Sequence, residues 1–350
     1  MYGCSSFIST VITRAAWRAR RALWGLRLAA LGLAGLGLVG LGLASLGLVG
    51  LGLAGAAAAQ TPKVEPVQVR PGLWMVQGEA ALGSSANRNF ISNAAFVVTP
   101  DGVVVIDALG SPALAQELVA AIARITPQPV KHVIVTHYHA DHIYGLQVFK
   151  ALGATITAHS LGQAYLHSET AALRLKASRE ELAPWVDEDT RLVPADRWVD
   201  RASSFTLGGV EFLLQPAGPA HTPEDLVVVL PQMRVLIAGD LVFRGRIPFV
   251  GNADSGRWIE ALQRLLALNT RTILPGHGPV SENADADLRL TLDYLKHLRA
   301  TMGEAARNLE PFEEAYAKAD WSRFDHLPLF KAANRINAYN TYLQMEHESR

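Results

Sequence analysis

The feature that most constrains this chain is a cluster of three histidines and one aspartate within six residues. His137, His139, Asp141 and His142 come directly after the apolar segment 133–135. Residues two apart on an extended segment point to the same side, so His137 and His139 can offer two ring nitrogens to one metal ion. Asp141 and His142 then enter a turn and can face a second ion beside the first. The cluster therefore predicts a metal site at the end of a strand.

Three more residues of the types that bind metals follow apolar segments later in the chain. His221 lies in a loop after the strand-like residues 210–214, Asp240 ends the apolar segment 235–239, and His277 stands between two glycines after residues 272–274. A carboxylate at the end of a buried strand is costly unless it meets a cation, although Asp240 taken alone also fits a turn or a helix cap. The repeated pattern of a strand followed by a ligand predicts that all three lie at one edge of the fold.

With these residues, the chain resembles the metallo-β-lactamase fold superfamily over about residues 66–280. The H-x-H-x-D-H motif of that superfamily is followed by a His, an Asp and a final His, in the order found here. The resemblance implies the α/β class and a four-layer αβ/βα sandwich. It also implies two zinc ions in a site similar to that of glyoxalase II. The implied ligands are His137, His139 and His221 for the first ion, Asp141, His142 and His277 for the second, and Asp240 as the bridge between them.

Other segments refine this resemblance. Asp107, after residues 103–106, resembles an aspartate of the superfamily that lies near the metals without binding them. Some β-lactamases of the superfamily carry Cys at the position of Asp240, so the thiolate-ligand subclasses are disfavoured. Residues 239–251 and the helical segment 258–268 are similar to the exported zinc metallohydrolases of quinoprotein relay systems. Glu224 departs from the glycine of many superfamily hydrolases, and we interpret it as a turn or helix-start acid.

The first 59 residues predict an export segment. Several arginines precede a long glycine- and leucine-rich apolar stretch, which ends in alanines before Gln60. This order is typical of a secretory signal cleaved after Ala59, with Arg20 and Arg21 suggesting the twin-arginine type, and it predicts a periplasmic or secreted protein. The apolar stretch is also long enough for a retained membrane anchor, and an over-extended start at Met1 is a third reading. The only cysteine is Cys4, so a cleaved chain would contain no thiol.

Charge and composition limit the partners of residues 60–350, for which one hydrolase domain is predicted. The chain has 32 basic and 32 acidic residues, and no Lys/Arg block follows residue 60. A nucleic-acid partner therefore has no electrostatic support, and a small-molecule substrate is expected. Contact with a membrane is expected only through residues 1–59, if these are not cleaved.

Hydrophobic periodicity predicts alternating strands and helices after the leader. Strands are expected at 73–76, 91–98, 103–106, 130–136, 154–158 and 271–274, with more between 198 and 240, and helices at 112–125, 143–152, 162–178, 255–268 and 286–309. The tail 310–350 is expected to form amphipathic helices that pack on the domain or on a second subunit, through Ala333, Ile336, Tyr339, Tyr342 and Leu343.

The predicted function is hydrolysis by hydroxide held between two zinc ions, which attacks a thioester, ester or lactone carbonyl and is oriented by Asp141. The alternatives are an exported β-lactamase-like amide hydrolase, a metal-bearing periplasmic relay or binding protein, and a diiron protein. The loop 83–89 and residues 244–250 are expected to wall the substrate pocket, where Arg88, Arg244 and Arg246 either hold an anion or are solvated. Core or surface positions are expected for the remaining histidines, His132, His159, His167, His297, His326 and His347.

Overall fold

The computed structural model describes residues 63–348, so the predicted leader 1–59 lies outside the described residues. In this range two sheets stand between two layers of helices, which confirms the predicted four-layer sandwich. The strands are β1 (Val67–Arg70), β2 (Leu73–Val76), β3 (Ala94–Thr99), β4 (Gly102–Ile106), β5 (Val130–Ile134), β6 (Thr155–His159), β7 (Arg197–Val199), β8 (Ser203–Leu207), β9 (Val210–Pro216), β10 (Leu226–Leu230), β11 (Val235–Phe243) and β12 (Thr272–His277).

The helices lie in the two outer layers, and none between residues 63 and 348 is both long and apolar enough to cross a membrane. They are α1 (Pro112–Ile125), α2 (Ala140–Ile143), α3 (Leu146–Ala151), α4 (Gly162–Leu166), α5 (Glu169–Glu181), α6 (Ser255–Leu266), α7 (Ala284–Arg307), α8 (Phe312–Lys318) and α9 (Phe330–Glu348).

Strand order places the ends of the parallel strands at one edge. The first sheet has the order β1-β2-β3-β4-β5-β6-β7, and the second has the order β12-β11-β10-β9-β8. β4 to β7 run parallel to one another, as do β11 and β12. Ligands bind outside the carboxyl ends of parallel strands, so each sheet offers such an edge.

The side chains of β4 point alternately into two different hydrophobic cores. Val104 and Ile106 pack against the second sheet, whereas Val103 and Val105 pack against the helices of the first half. All four side chains are fully buried, because successive residues of a strand point to opposite faces and both faces are covered here. A third core joins the second sheet to α6, α7 and the C-terminal helices, around Trp258.

Two predicted helices are broken in the structure. The predicted helix 143–152 is divided into α2 and α3 at Gly145, where a Cβ atom would lie 2.0 Å from the Ala108 carbonyl oxygen. The predicted helix 162–178 is divided into α4 and α5, because the Ser168 hydroxyl accepts a hydrogen bond from Ala171 N and caps a new helix. Periodicity misses both breaks because it records neither close backbone approach nor capping.

The C-terminal tail packs on α7 through only part of the predicted face. Ala333 is buried and Tyr342 is partly buried against the core, as expected, but Ile336, Tyr339 and Leu343 are exposed. Asn334 and Asn337 are fully buried instead, with Asn334 Oδ1 accepting from the Tyr294 hydroxyl. These amides are buried because they have partners, which a reading of hydrophobic spacing cannot detect.

Candidate metal centre

The structure brings all seven predicted ligand residues together at the edge where the two sheets meet. Four come from the segment 137–142 after β5, and three come from the second half, in the loop after β9, in β11 and at the end of β12. Their ligand atoms form two groups, and within each group these atoms lie within 4.8 Å of one another. The first group consists of His137, His139, His221 and Asp240, and the second consists of Asp141, His142 and His277.

Hydrogen bonds behind two of the rings fix which nitrogen faces the centre. His142 Nδ1 lies 2.9 Å from Asp107 Oδ2, and His277 Nδ1 lies 2.7 Å from the Ile91 carbonyl oxygen. Both partners only accept hydrogen bonds, so each Nδ1 carries the proton. In the neutral form of each ring, Nε2 is then the nitrogen without a proton, and it is the atom that would bind a cation in place of a proton.

Asp240 lies between the two groups. Its Oδ2 atom is 3.5 Å from His221 Nε2 and 3.2 Å from His277 Nε2, and its Oδ1 atom is 3.2 Å from His142 Nε2. Asp141 Oδ2 lies 3.3 Å from His277 Nε2 and 3.5 Å from His142 Nε2. The Asp240 carboxylate therefore reaches both ligand groups, as a bridging ligand requires.

The pKa values divide the histidines into two kinds. Burial lowers the pKa of His137 and His139, and it lowers the pKa of His221 to about 3, so these three rings are neutral near pH 7. Burial also acts on His142 and His277, but Asp141 and Asp240 beside them outweigh it and raise their pKa. Neutral imidazoles and carboxylates crowded together are the donor set of a metal site.

Buried atoms without partners support the same conclusion. Among the described residues, His137 Nε2, His142 Nε2 and Asp240 Oδ1 are buried and make no hydrogen bond. His139 Nδ1 and His221 Nε2 face each other at 3.0 Å, both inside the first group. Buried polar atoms normally have hydrogen-bond partners. The presence of several unpartnered ones within the two ligand groups therefore fits a bound metal ion. The nitrogen and oxygen donors suit zinc, which binds through such atoms.

Two aromatic rings that the sequence did not single out hold the histidines from behind. Phe243 stacks on the His277 ring with centroids 5.0 Å apart and planes at 3°. Trp258 packs against the His221 ring at 5.2 Å, and its indole nitrogen donates to the Leu241 carbonyl oxygen. Phe243 and Trp258 are both fully buried, so they restrict how the two ligand rings can turn.

Asn93 and Gly276 connect the two sheets beside the centre. The Asn93 side-chain amide donates to the carbonyl oxygens of Pro275 and Gly278, and the Asn93 backbone N–H donates to the Gly276 carbonyl oxygen. A Cβ atom at Gly276 would lie 1.9 Å from Asp240 Oδ1 and 2.7 Å from the Gly239 carbonyl carbon. The absence of a side chain at position 276 is therefore what allows β12 to approach the Asp240 carboxylate.

Asp107 holds both ends of the ligand segment 137–142 in place. Its carboxylate accepts from Thr136 N and from the Thr136 hydroxyl, each at 2.8 Å, in addition to His142 Nδ1.

We expect Asp107→Ala to weaken metal binding by about 10- to 100-fold, because partners behind a ligand typically contribute that much. Titration with zinc against a competing chelator measures the change. The exposed turn residue Asp101, replaced by alanine, is the control, and equal affinity in the two variants would contradict the prediction.

A cavity of about 440 Å³ opens onto the second group of ligands. Leu82, Asn89, Arg246 and Phe249 line it, so both predicted pocket segments take part. Arg246 alone among the three predicted arginines lies there, and Arg174 on α5 lines it as well. Arg246 is therefore the one whose position fits the predicted role in binding an anion.

The other two arginines proposed from the sequence have different partners. Arg88 forms an ion pair with Glu117 and lies over the Trp185 ring. Arg244 pairs with Asp287 and donates to the Val280 carbonyl oxygen. The sequence left open whether these two arginines hold an anion or are solvated, and in the structure each is paired with a carboxylate of this chain.

Glu224 and the remaining histidines lie outside the two ligand groups. Glu224 is buried in the loop between β9 and β10, where its Oε1 atom accepts from Tyr138 N at 3.3 Å. His159 is buried, and His132 and His297 pack beside Phe205 and Trp321. The exposed histidines are His167, His326 and His347.

A four-layer α/β sandwich with paired His and Asp groups at its edge is the architecture of a metal-dependent enzyme. The sequence model of the Metallo-beta-lactamase superfamily matches residues 87–277, more than half of the chain. The protein therefore belongs to this superfamily and is a metal-dependent hydrolase of it.

Individual relatives agree with this assignment. A metallo-beta-lactamase type 2 of Bacillus sp. is 30% identical over 235 residues, which span 65% of this chain and 81% of the relative. A linear primary-alkylsulfatase of Pseudomonas sp. is 27% identical over 239 residues, 58% of this chain but 45% of that protein. The solved structure of a metallo-beta-lactamase from Pontibacter korlensis has a TM-score of 0.53 at 25% identity and covers 67% of this chain and 99% of its own.

Proposed function

We propose that this protein is a dinuclear zinc hydrolase that cleaves a carboxylic thioester, ester or lactone. The observation that carries the proposal is Asp240, whose two carboxylate oxygens reach both ligand groups. Zinc ions in such a site lower the pKa of water towards ~7 and polarise a carbonyl oxygen.

Asp141 is suited to orient the attacking water. Its side chain is 16% exposed and lines the cavity, in contrast to the more deeply buried Asp240. His142 and His277 beside it outweigh the effect of burial and lower the pKa of Asp141, which keeps the carboxylate ionised. An ionised carboxylate with one edge towards the cavity can hold a hydrogen bond from water in a defined direction.

β-Lactam hydrolysis is the second candidate, because the Bacillus and Pontibacter relatives are called metallo-beta-lactamases. Asp240 weighs against it, since some β-lactamases of the superfamily carry Cys at this position. The only cysteine of this chain is Cys4, so residues 63–348 offer no thiolate. We therefore place thioesters, esters and lactones first.

One set of measurements separates these possibilities. The full-length protein is purified, its metals are counted by elemental analysis, and the same sample is assayed with a thioester, a lactone and a chromogenic β-lactam. We expect about two zinc ions per chain and faster turnover of the thioester or lactone. Preferred turnover of the β-lactam would favour the second candidate. A loaded protein that cleaves none of them, with Asp141→Ala behaving identically, would contradict hydrolysis and leave a metal-bearing binding protein.

Arg246 gives a further expectation about charge. The side chain is 5% exposed, and no carboxylate between residues 63 and 348 forms an ion pair with it. Its guanidinium lies 5.5 Å from the Phe243 ring, on the cavity wall. Burial lowers the pKa of Arg246, although Asp240 and Asp141 oppose this effect. Bound zinc would neutralise those two carboxylates, so an anionic group of the substrate is the partner that this arginine then needs.

We expect Arg246→Met to raise KM by about 10- to 100-fold for a thioester that carries a carboxylate, as lost hydrogen bonds to a charged group imply. The methyl ester of the same compound serves as the uncharged control, and its KM is expected to change little. Steady-state kinetics of both compounds measure the effect. An equal rise for the charged and uncharged substrates would mean that Arg246 only shapes the cavity.

A further inference from the structure

A second cavity, of about 580 Å³, opens onto the first group of ligands. His139 and His221 of the first ligand group line it, together with Glu224, Asn252 and Asn340. His139, Tyr165 and Phe249 line this cavity and the one that contains Arg246. We call the two spaces the Asn340 cavity and the Arg246 cavity. Because they share a boundary at His139, one substrate can occupy both while its reacting group lies at the metals.

The C-terminal helix α9 forms part of this second cavity. Asn340 on α9 lines it directly and donates from Nδ2 to the Gly251 carbonyl oxygen at 2.8 Å. A side-chain amide has two donor hydrogens and an acceptor oxygen, and the contact with Gly251 uses one donor. Asn340 thus belongs to the wall of the cavity and retains capacity for a ligand.

The same helix also fixes the loop that separates the two cavities. Asn337 Nδ2 donates to the Pro248 carbonyl oxygen at 2.7 Å, and Val250 N donates to Asn337 Oδ1 at 2.9 Å. These two bonds enclose Phe249, which is 44% exposed and lines both cavities. Asn337 is fully buried and also donates to the Tyr294 hydroxyl oxygen at 3.0 Å. The position of Phe249 therefore depends on a residue of the C-terminal helix.

The two cavities differ in chemical character. Arg246 and Arg174 line the first, whereas neither arginine nor lysine is among the described residues that line the second. Polar groups of the Asn340 cavity come from Asn340, Asn252 and Ser168, with the carboxyl group of Glu224. Without a lysine or arginine among its described lining residues, and with the Glu224 carboxyl group on its wall, this cavity suits a neutral, hydrogen-bonding part of a ligand better than an anionic part.

We propose that the Asn340 cavity binds a neutral, amide-bearing part of the substrate and that α9 is a specificity-determining element of the enzyme. The anionic part of the same molecule lies in the Arg246 cavity, and the scissile carbonyl lies between them. This inference rests on the proposed hydrolase function. Asn340 contacts the substrate, and Asn337 is a positioning residue that acts through the loop around Phe249.

The test uses thioether analogues, which resist hydrolysis, so binding is measured separately from turnover. Two analogues carry the same carboxylate arm, and their second arms, of equal length, are either amide-bearing or purely hydrocarbon. Calorimetry with the zinc-loaded, full-length protein should show the amide analogue binding about 10-fold more tightly, as one or two net hydrogen bonds imply. Equal affinity of the two analogues for the wild-type protein would overturn the proposal.

Variants assign the effect to the helix. In Asn340→Leu, and in the milder Asn340→Ser, the preference for the amide analogue is expected to shrink towards equality, while the binding of a short carboxylate without a second arm stays unchanged. Asn337→Ala is expected to weaken the binding of both analogues several-fold, while the number of zinc ions per chain stays the same. Ile336, which is 42% exposed on the same helix, provides the control Ile336→Ala. An amide preference that persists in both Asn340 variants would overturn the role of α9.

These results remain distinguishable from failure of the hydrolase proposal. Zinc content and turnover of a short thioester are measured on the same wild-type and variant preparations. A protein that binds two zinc ions and cleaves the short thioester, but shows no amide preference, would retain the function and lose only this inference. A protein that shows the preference but cleaves nothing would retain the binding site and lose the function.

Discussion

Replacing Asp240 by alanine is expected to lower turnover by at least ~1000-fold, because metal-ion catalysis supplies several kcal/mol of barrier reduction. The reason is geometric, since Asp240 alone among the described residues offers a carboxylate to both ligand groups. Without it, the repulsion between two cations in one buried site is no longer offset by a shared anion. We therefore also expect fewer than two zinc ions per chain by elemental analysis.

A neighbouring buried carboxyl group provides the control for Asp240. Asp225 is also buried, but its oxygens accept from Thr222 N and from the Thr222 hydroxyl, outside the ligand groups. Burial raises the pKa of Asp225, so Asp225→Asn is a mild change there. We expect this variant to keep both ions and most of the activity. If the Asp240→Ala protein also kept two ions and its rate, the bridging role would be disproved.

The second large effect is expected from Gly276→Ala, which adds a single methyl group. The added Cβ atom would overlap with Asp240 Oδ1 and with backbone atoms of Gly239 and Asp240 in β11. The backbone of a strand cannot move aside as the end of a flexible side chain can. Contacts of 1.9 Å to 2.8 Å with these atoms require β11 and β12 to separate. We expect either a protein without bound zinc or a loss of roughly 3 kcal/mol or more in the free energy of unfolding.

Denaturant unfolding and zinc analysis of Gly276→Ala measure the two outcomes. The control is Gly256→Ala in α6, where the added methyl group meets only the end of the Arg299 side chain, at 3.3 Å. Alanine favours helix more than glycine does, so this control is expected to match or exceed the wild-type stability. A Gly276→Ala protein with normal zinc content and stability would show that the strands separate easily.

The sequence was sufficient to predict which seven His and Asp residues lie together, because their chemistry and their positions agree. His137 and His139 alternate after a strand, and Asp240 and His277 each follow an apolar segment, a pattern that is visible without any tertiary contact. In the structure His277 ends β12 as expected, whereas β11 continues past Asp240 to Phe243. The four-layer architecture was predicted from the resemblance, and the alternation of strands and helices along the chain agreed with it. Local pattern and tertiary role coincide at these residues.

What the sequence could not predict depends on contacts between distant segments. Nothing in the spacing of Asn337 and Asn340 distinguishes them from other polar residues. Each lies 89 residues along the chain from the loop carbonyl group that it contacts, and only the fold brings the two together. Arg246 differs from Arg244 only in its surroundings, because Asp287 neutralises one and no carboxylate of the described residues pairs with the other. The sequence likewise gives no indication that Trp258 packs against the His221 ring. Such residues are recognised by their partners and not by their type.

The division of the ligands between the two halves of the fold also has a consequence for folding. The segment 137–142 offers four ligand residues at once, but His221, Asp240 and His277 reach it only after the second sheet has docked on the first. An unfolded chain would therefore hold an ion weakly through one short segment, whereas the native chain would hold ions through both halves. Zinc should accordingly oppose any separation of the two sheets and make their unfolding more cooperative. Saturation with zinc thus becomes a measure of whether the halves of a molecule have come together.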